Sequence, residues 1–555
     1  MRQTDIAKII EYALARAQEA GTLPSVQITD IPVERPQNPD HGDFASSLPM
    51  RLTKQLQMNP FDIAEILVSH INPTETIERV SAIRPGFVNF SLNPIWIASQ
   101  VRTVLDSGNQ YGDSDIGNGK RVQIEFVSVN PTGPLHAGHA RGAVFGSSLA
   151  NILEATGFDV QREYYLNDAG NQMDLFNLSL FARYKQYRGH DFPVPEGGYH
   201  GEYMVKLAEE LGETFGSDLE DLDEDDQLDR LGQAGLEHIV KTLRNDLTEI
   251  RVNYDQWFSE KSLYENGQYA TAMDILGEGH HITHREGAIW FISSILGDDK
   301  DKVLVRSTGA PTYFASDVAY HYNKLVERGF DCVINIWGAD HQGHAPFMKA
   351  MVSALGIPQE RLEILIYQLV TLKREGQTVR LSKRAGDLIT LHDLVTEVGP
   401  DACRYFFLTR SPDSQMDFDL DLAKKETPEN PVFYIQYAHA RTSSILRLAK
   451  EHGLDYRDGQ ETLLVHEAEQ NLIRKILLLP ELMELMAVGR QPHHLPHYAH
   501  DLAASVHSFY EKCRVISNVP EDLQKTKARL KLVEATLVVL SKCLGLMSMS
   551  APDQM

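Results

Sequence analysis

Two histidines flank a glycine in "NPTGPLHAGHARG" (130–142), a stretch rich in proline and glycine and poor in packing residues. His136 and His139 fall between an apolar β-type run, "RVQIEFVSV", and a helix-period segment, "ARGAVFGSSLANILEAT". A helix N-terminus offers unpaired N–H groups and the positive end of the helix dipole, which suit phosphate. Imidazoles placed there can donate to a triphosphate. Gly138 has no Cβ, so a flat base can lie against the backbone. Alone, the motif could also be a Gly-Pro loop with incidental histidines.

Two further stretches carry chemistry. "WGADHQGH" (337–344) follows a second apolar strand and places Gly338, Asp340, His341 and Gln342 in a glycine turn. "RLSKRAG" (380–386) sets Ser382, Lys383 and Arg384 in a glycine-ended loop. A lysine and an arginine on such a loop can clamp charge that develops on a transferring phosphate. By itself the loop also reads as a solvated basic turn. A Walker signature, G-x-x-x-x-G-K-[ST], does not occur in the chain.

These motifs need elements to hold them. Strand 121–129, the helix after it and the strand "FDVQREYYL" form a βαβ unit, expected to be parallel and right-handed. Gly157 reads as the residue just past that helix. Ligands of open parallel sheets sit beyond the carboxyl ends of the strands, where 128–139 fall. A second α/β half starts at "DCVINIWGADHQGHAPFMKAMVSALG", and "RLEILIYQLV" reads as a further strand. The stretch from about 170 to 300 reads as mostly polar and helical. From about 391 the periodicity turns helical and stays so. "NPDHGDFASSL" reads as a turn entering a helix. The fold class is therefore a Rossmann-type α/β parallel-sheet domain, with a small α+β N-terminal domain and an all-α C-terminal helical bundle. The expected divisions are 1–117, 118–395 with an insertion at about 170–300, a helical connection at 396–429, and 430–555.

Length and composition agree with this division. The chain has 555 residues and 42 % hydrophobic content, enough for several cores. No apolar run is long enough for a bilayer, and the amphipathic, acid-containing N-terminus does not read as a signal peptide. The four cysteines form no C-x-x-C pair, so reduced thiols in a cytoplasm and no structural zinc are expected. The net charge of −24 argues against nucleic acid, but the acid is unevenly spread. "SDLEDLDEDDQLDR" (217–230) holds eight carboxylates and reads as a solvated face, whereas from Asn430 onward acids and bases balance at 14 each. A local nucleic-acid surface is not excluded.

In this order the three motifs resemble those of class I aminoacyl-tRNA synthetases. His136-Ala-Gly-His139 is similar to the HIGH signature. Arg380-Leu-Ser-Lys-Arg384 is similar to the KMSKS loop, with Arg380 for its first lysine and Arg384 for its last serine. "EFVSVNPTGPLHAGHARG", "YYLNDAGNQ", "YFASDVAYH", "WGADHQGH", "ENPVFYIQYAHAR" and the closing "LVEATLVVLSKCLGLM" resemble arginyl-tRNA synthetases specifically, from about Asn38 onward.

The resemblance implies that the chain activates L-arginine with ATP and Mg2+ and transfers it to the terminal 2′-hydroxyl of tRNA(Arg). Activation in the family usually requires bound tRNA. His136, His139 and Lys383 are implied to stabilise phosphates, with Gly138, Gly338, Asp340 and Ser382 beside the nucleotide. Glu125, Ser128, Asn130, Tyr313, Asp317, His341 and Gln342 are implied to form the arginine site. Chemistry agrees, because a guanidinium has five donors and a permanent charge and so needs carboxylates and neutral acceptors. Asp317 could instead cap the helix "DVAYHYNKLVERG". Tyr434, Tyr437 and Arg441 fall at i, i+3 and i+7 and are implied to meet the anticodon, although the same spacing suits a buried stripe. Phe87 and Asn89 are implied to meet a base at the tRNA elbow, although an aromatic in a strand is often core. A monomer is expected. Another adenylyl or nucleotidyl transferase on the same core, or an RNA-binding relative without catalysis, remain alternatives at this level.

Overall fold

The computed structural model describes residues 1–36, 38–379 and 389–555. Ser382, Lys383 and Arg384 lie outside the described residues, as does Arg380.

The N-terminal part packs helices α1 (Gln3–Glu19), α2 (Leu48–Leu56) and α3 (Pro60–Ser69) with a three-stranded antiparallel sheet of β1 (Phe44–Ser46), β2 (Ile77–Ile83) and β3 (Phe87–Leu92), in the order β1-β3-β2. β1 is the one element of this part that the turn-rich sequence before it conceals. Its three residues are all buried, so it shows no alternation. Helix α4 (Pro94–Ser107), capped by the Asn93 side chain, leads to the catalytic sheet.

That sheet has five parallel strands: β4 (Arg121–Phe126), β5 (Asp159–Leu166), β6 (Gln256–Ser259), β10 (Cys332–Gly338) and β11 (Leu362–Tyr367). The order is β11-β10-β4-β5-β6. The chain moves outward one way from β4 and returns to the other side with β10, so the crevice lies between β4 and β10. β4 is buried from Val122 to Phe126, as expected for a strand covered on both faces. Helix α5 (Ala137–Ala155) covers one face, and Gly157 follows it at φ +86°. At Gly146 a Cβ would strike the Phe126 ring, so glycine lets helix and strand approach closely.

Between β5 and β6 runs a helical insertion: α6 (Asn171–Tyr187), α7 (Glu202–Phe215), the short α8 (Ser217–Glu220) and α9 (Glu224–Glu249). The region 170–300 is not all helical, however. β6 joins the main sheet, and after α10 (Lys261–Glu265) and α11 (Gln268–Glu278) an antiparallel meander forms from β7 (Ile282–Arg285), β8 (Ala288–Phe291) and β9 (Lys302–Val305). Each of these strands has four residues, too few for periodicity to declare itself. Helix α12 (Tyr313–Tyr322) continues into a π-helical turn at Asn323–Glu327, and α13 (Ala345–Ala354) separates β10 from β11.

After β11, β12 (Val370–Arg374) and β13 (Gln377–Thr378) form a hairpin. Helices α14 (Leu391–Val398) and α15 (Pro400–Leu408) follow. The helical run then breaks again, because β14 (Met416–Asp419) pairs in parallel with β12. Its "MDFD" alternates buried and exposed, a strand signal between two helical stretches. After α16 (Leu420–Ala423) the rest is helical: α17 (Pro431–Glu451), α18 (Glu467–Ile476), α19 (Leu479–Gly489), α20 (His494–Lys512) and α21 (Leu523–Leu546). Two buried arginines join the parts through carbonyl oxygens. Arg141 of α5 donates to Gln368, Ser411 and Ser414, and Arg404 of α15 donates to Ile250 and Met547. Burial lowers Arg141 to about 10 and Arg404 to about 9, so both remain charged at neutral pH. No helix among the described residues is long and apolar enough to cross a membrane.

Candidate active site and nucleic-acid interface

The loop after β4 turns sharply. Val127 and Ser128 have φ of +71° and +42°, a region that side chains rarely adopt. The Ser128 hydroxyl accepts the Tyr165 N–H at 3.1 Å, so it is engaged with β5. Asn130 is exposed. Its Nδ2 donates to Gln172 at 2.5 Å and its Oδ1 accepts from Asn167 at 2.9 Å.

The loop ends at the N-terminus of α5, where His136 is the cap. Its Nδ1 accepts the Gly138 N–H at 3.1 Å, while His139 Nδ1 accepts the His136 N–H at 3.3 Å. The two imidazoles stack with centroids 3.5 Å apart. A Cβ on Gly138 would lie 3.0 Å from the His136 ring, so glycine here makes room for the histidine itself. The chain beyond 388 is pinned to this point: Ala137 N–H donates to Ile389 and Leu391 N–H to Leu135.

Across the crevice, β10 ends at Gly338. The Asp340 carboxylate folds back over it, leaving no room for a Cβ. Asp340, His341 and Gln342 are all exposed on a short 3-10 turn, Ala339–His344. His344, at the end of that turn, is the residue that reaches inward. Its Nε2 lies 2.8 Å from Asp317 Oδ2, among Phe314, Trp337 and Phe347. A carboxylate only accepts, so Nε2 carries the proton. Asp317 lies in the middle of α12, and the cap of that helix is Thr312. A capping role for Asp317 is therefore excluded. Tyr313, one turn before it, is 63 % exposed at the mouth.

A second carboxylate faces this pocket. Glu260 follows β6, is 7 % exposed, and is pushed up to about 7 by burial, with Asp317 and Asp168 adding repulsion. The Ser316 and Tyr165 hydroxyls pull the other way. Sequence reasoning missed Glu260 and His344. A glutamate in "WFSEKSLYE" carries no motif, and only the sheet's fifth strand brings it here.

Glu125 is placed differently from the other arginine-site candidates. It lies on the sheet face beneath α12, 2.5 Å from the fully buried Lys324 ammonium, which also touches Asn335 and the Tyr320 ring. Below it Glu163 pairs with Arg328 and accepts the Tyr320 hydroxyl at 2.6 Å. Two carboxylates and two cations are thus paired under the pocket, all buried except the half-buried Arg328. The Glu125 carboxylate is held by Lys324, and with Glu260 and Asp317 it acts on the buried Tyr165 hydroxyl.

In the C-terminal bundle, Tyr437 is 37 % exposed on α17 and stacks in parallel with Phe433. The Arg441 guanidinium lies 3.6 Å from the Tyr510 ring centroid and 5.6 Å from that of Tyr437. Like Phe433, Tyr434 is half-buried. Its ring leans on His500 and His507 of α20. Tyr437, which also stacks on His507, and Tyr510 are the exposed members of this face, and Phe433 and Arg441 are half-buried beside them. In the N-terminal sheet Phe87 is half-buried. Asn89 is 5 % exposed and donates to the His41 carbonyl, so it does not present its side chain to solvent.

A parallel sheet in this order, with a stacked His-x-Gly-His cap at its crevice, a carboxylate pocket beside it and a helical bundle bearing an aromatic-arginine surface, is the architecture of a class I aminoacyl-tRNA synthetase. Residues 100–408 match the family described as tRNA synthetases class I (R), catalytic domain. Residues 4–92 match the arginyl tRNA synthetase N terminal domain and residues 435–555 the DALR anticodon binding domain. The chain is 52 % identical to the arginine–tRNA ligase of Dehalococcoides mccartyi (strain BAV1) over 99 % of this chain and 98 % of that one. It is 47 % identical to that of Carboxydothermus hydrogenoformans over 97 % of each. The solved arginyl-tRNA synthetase of Thermus thermophilus superposes with a TM-score of 0.75 over 100 % of both chains at 23 % identity, a likeness of fold. The chain belongs to the arginyl-tRNA synthetase family, the ATP-dependent arginine–tRNA ligases.

Proposed function

We propose that this chain charges tRNA(Arg) with L-arginine in two steps at the crevice between β4 and β10. The observation that carries the reading is the pairing of a phosphate-type helix cap, His136 and His139, with a pocket holding two carboxylates, Asp317 and Glu260. The arginine carboxylate attacks the α-phosphate of ATP, forming arginyl-adenylate and releasing pyrophosphate. The 2′-hydroxyl of the tRNA's terminal adenosine then attacks the activated carbonyl and AMP leaves. Mg2+ enters with the nucleotide phosphates. Among the described residues no cluster of His, Cys, Asp and Glu is arranged to hold a metal.

The residue roles rest on the family resemblance, with Lys383 and Ser382 outside the described residues, and placement adds support for the others. His136, His139 and Lys383 stabilise the phosphates. Gly138, Gly338, Asp340 and Ser382 border the nucleotide. Asp317 and Glu260 meet the guanidinium, with Tyr313 at the mouth. Asn130 and Gln342 serve the backbone end of the amino acid, Ser128 shapes the turn, and His341 lines the entrance. Glu125 supports the pocket floor with Lys324. No covalent enzyme intermediate is needed, so rate comes from positioning and charge stabilisation. The divisions at 1–117, 118–395, 396–429 and 430–555 are proposed as elbow, catalytic, connecting and anticodon units of a cytoplasmic monomer. A filter assay with labelled arginine, ATP and tRNA tests the function. Arginine-dependent pyrophosphate exchange and acid-precipitable arginyl-tRNA are expected. Exchange with another amino acid, or neither signal, overturns it.

Glu260 gives a pH dependence. Burial raises its pKa to about 7, above the ordinary carboxyl value of 4.5. The free fold therefore holds this proton between about 4.5 and 7, and its stability contribution falls as pH rises through that window. Arginine binds the ionised form, so its affinity runs the opposite way. Apparent KM for arginine should be about tenfold higher at pH 6 than at pH 8. Glu260→Gln should flatten that profile and weaken binding at pH 8. A wild-type profile that is flat, or a Gln variant with the wild-type slope, would remove Glu260 from the pocket.

The anticodon surface gives another. Tyr437→Ala should cost about 1–3 kcal/mol in the KM for tRNA, the value of a stacked base. It should also blunt discrimination against a transcript with an altered anticodon. A variant that discriminates as well as wild type would place anticodon reading elsewhere.

A further inference from the structure

The strained turn after β4 is held from outside itself. Three tyrosine hydroxyls donate to carbonyls along it: Tyr254 to Phe126 at 3.0 Å, Tyr164 to Val129 at 3.0 Å and Tyr203 to Thr132 at 2.6 Å. Tyr164 belongs to β5, next to the loop in the sheet. Tyr254 follows α9, and Tyr203 lies in the first turn of α7, in the helical insertion. The Tyr203 ring also lies under the loop, where a Cβ on Gly133 would come within 3.3–3.4 Å of it. One residue before the cap, the Leu135 N–H meets the buried Asp246 carboxylate of α9. The insertion therefore touches the loop at 132, 133 and 135, between Asn130 and His136.

A β-branched valine and a serine at positive φ persist only where the surroundings over-determine them. Phe126, Val129 and Thr132 are spaced by three along the loop, and each carbonyl receives a hydroxyl whose ring is packed. A tyrosine ring has few rotamers, so its hydroxyl is a fixed point at little entropic cost. What these points fix is the distance from Asn130 to the His136–His139 cap, which is the distance from amino acid to phosphate. An error of about 1 Å in such a distance costs on the order of a hundredfold in rate.

We infer that Tyr203 is a positioning residue for adenylate formation, acting through the Thr132 carbonyl, and that the insertion serves as a brace for the catalytic loop. The inference rests on the ligase reading above.

The test uses the full chain in arginine-dependent pyrophosphate exchange with tRNA present. Tyr203→Phe removes one oxygen and should lower kcat about tenfold, with the KM for ATP and for arginine within about threefold. Its melting temperature should stay within about 2–4 °C of wild type. Gly133→Ala presses on the same contact from the loop side and should give a similar kcat loss. The double variant should lose less than the product of the singles, because both act on one contact. Tyr199→Phe is the control: its ring packs on Phe176 of α6, and among the described residues its hydroxyl makes no hydrogen bond to the loop. Full kcat in Tyr203→Phe, or equal losses in Tyr203→Phe and Tyr199→Phe that follow the melting temperature, would overturn the brace. Strict multiplication of the two single effects would do the same. A wild type that exchanges no pyrophosphate with arginine would sink the ligase reading first, before any variant is compared.

Discussion

Asp317→Asn should weaken arginine by about 2–4 kcal/mol, on the order of 30- to 1000-fold in KM, while the KM for ATP stays within a few-fold. The substitution keeps the size of the side chain and removes its charge. In the native site one oxygen is taken by His344 at 2.8 Å, and the other is left for a guanidinium N–H. An asparagine must either turn its amide N–H₂ toward His344, which also donates, or toward the guanidinium, which donates as well. Either choice sets donor against donor in a partly buried pocket. The same logic predicts a change of specificity. Citrulline replaces one guanidinium nitrogen with oxygen, so the wild-type carboxylate faces an acceptor it cannot satisfy. The Asn variant can donate to that oxygen, and the preference for arginine over citrulline should fall by at least as much as arginine binding does. A folding defect would look different. Asp317 is not the cap of α12, so the melting temperature should hardly move. Equal losses for arginine and ATP would sink the assignment.

The chemistry that could be read from the sequence lies in compact motifs at strand-to-helix turns. His136, Gly138 and His139 declare themselves because a glycine-proline loop between a strand and a helix has few packing reasons to exist. Asp317 was readable only through the resemblance, since an aspartate early in a helical segment fits a cap equally well. The residues that stayed hidden are those whose meaning depends on a distant neighbour. Glu260 lies on an ordinary stretch, and its raised pKa comes from burial that β6 creates. His344 sits in "WGADHQGH", but nothing local says that it turns inward while His341 turns out. Tyr434 and Tyr437 illustrate the limit of periodicity. They are three apart on one helix and both rest on His507 of α20, yet the first is half-buried and the second exposed. The short strands β6 and β14 were missed for the same reason: four residues carry pairing information only once their partners are known.

Lys324→Met should destabilise the catalytic domain by about 3–5 kcal/mol, because it leaves the Glu125 carboxylate without its cation in a site that water does not reach. For a domain of this size that is a fall on the order of 10 °C in its melting transition. Lys324 and Arg328 belong to the helical segment "DVAYHYNKLVERG". In the structure they point at the sheet, and burial lowers the Lys324 pKa while Glu125 holds it up. The cost of removing the lysine is mostly the cost of the stranded glutamate. Replacing both members, Lys324→Met with Glu125→Gln, should therefore recover most of the lost stability. That double variant also decides what Glu125 does. If Glu125 supports the floor through Lys324, the neutral pair keeps the turn after β4 in place, and the KM for arginine returns to within a few-fold of wild type. If Glu125 instead meets the substrate's ammonium group, the double variant will melt normally but bind arginine as poorly as Glu125→Gln alone. Recovery of stability without recovery of arginine binding would return Glu125 to the substrate, against its position beneath α12.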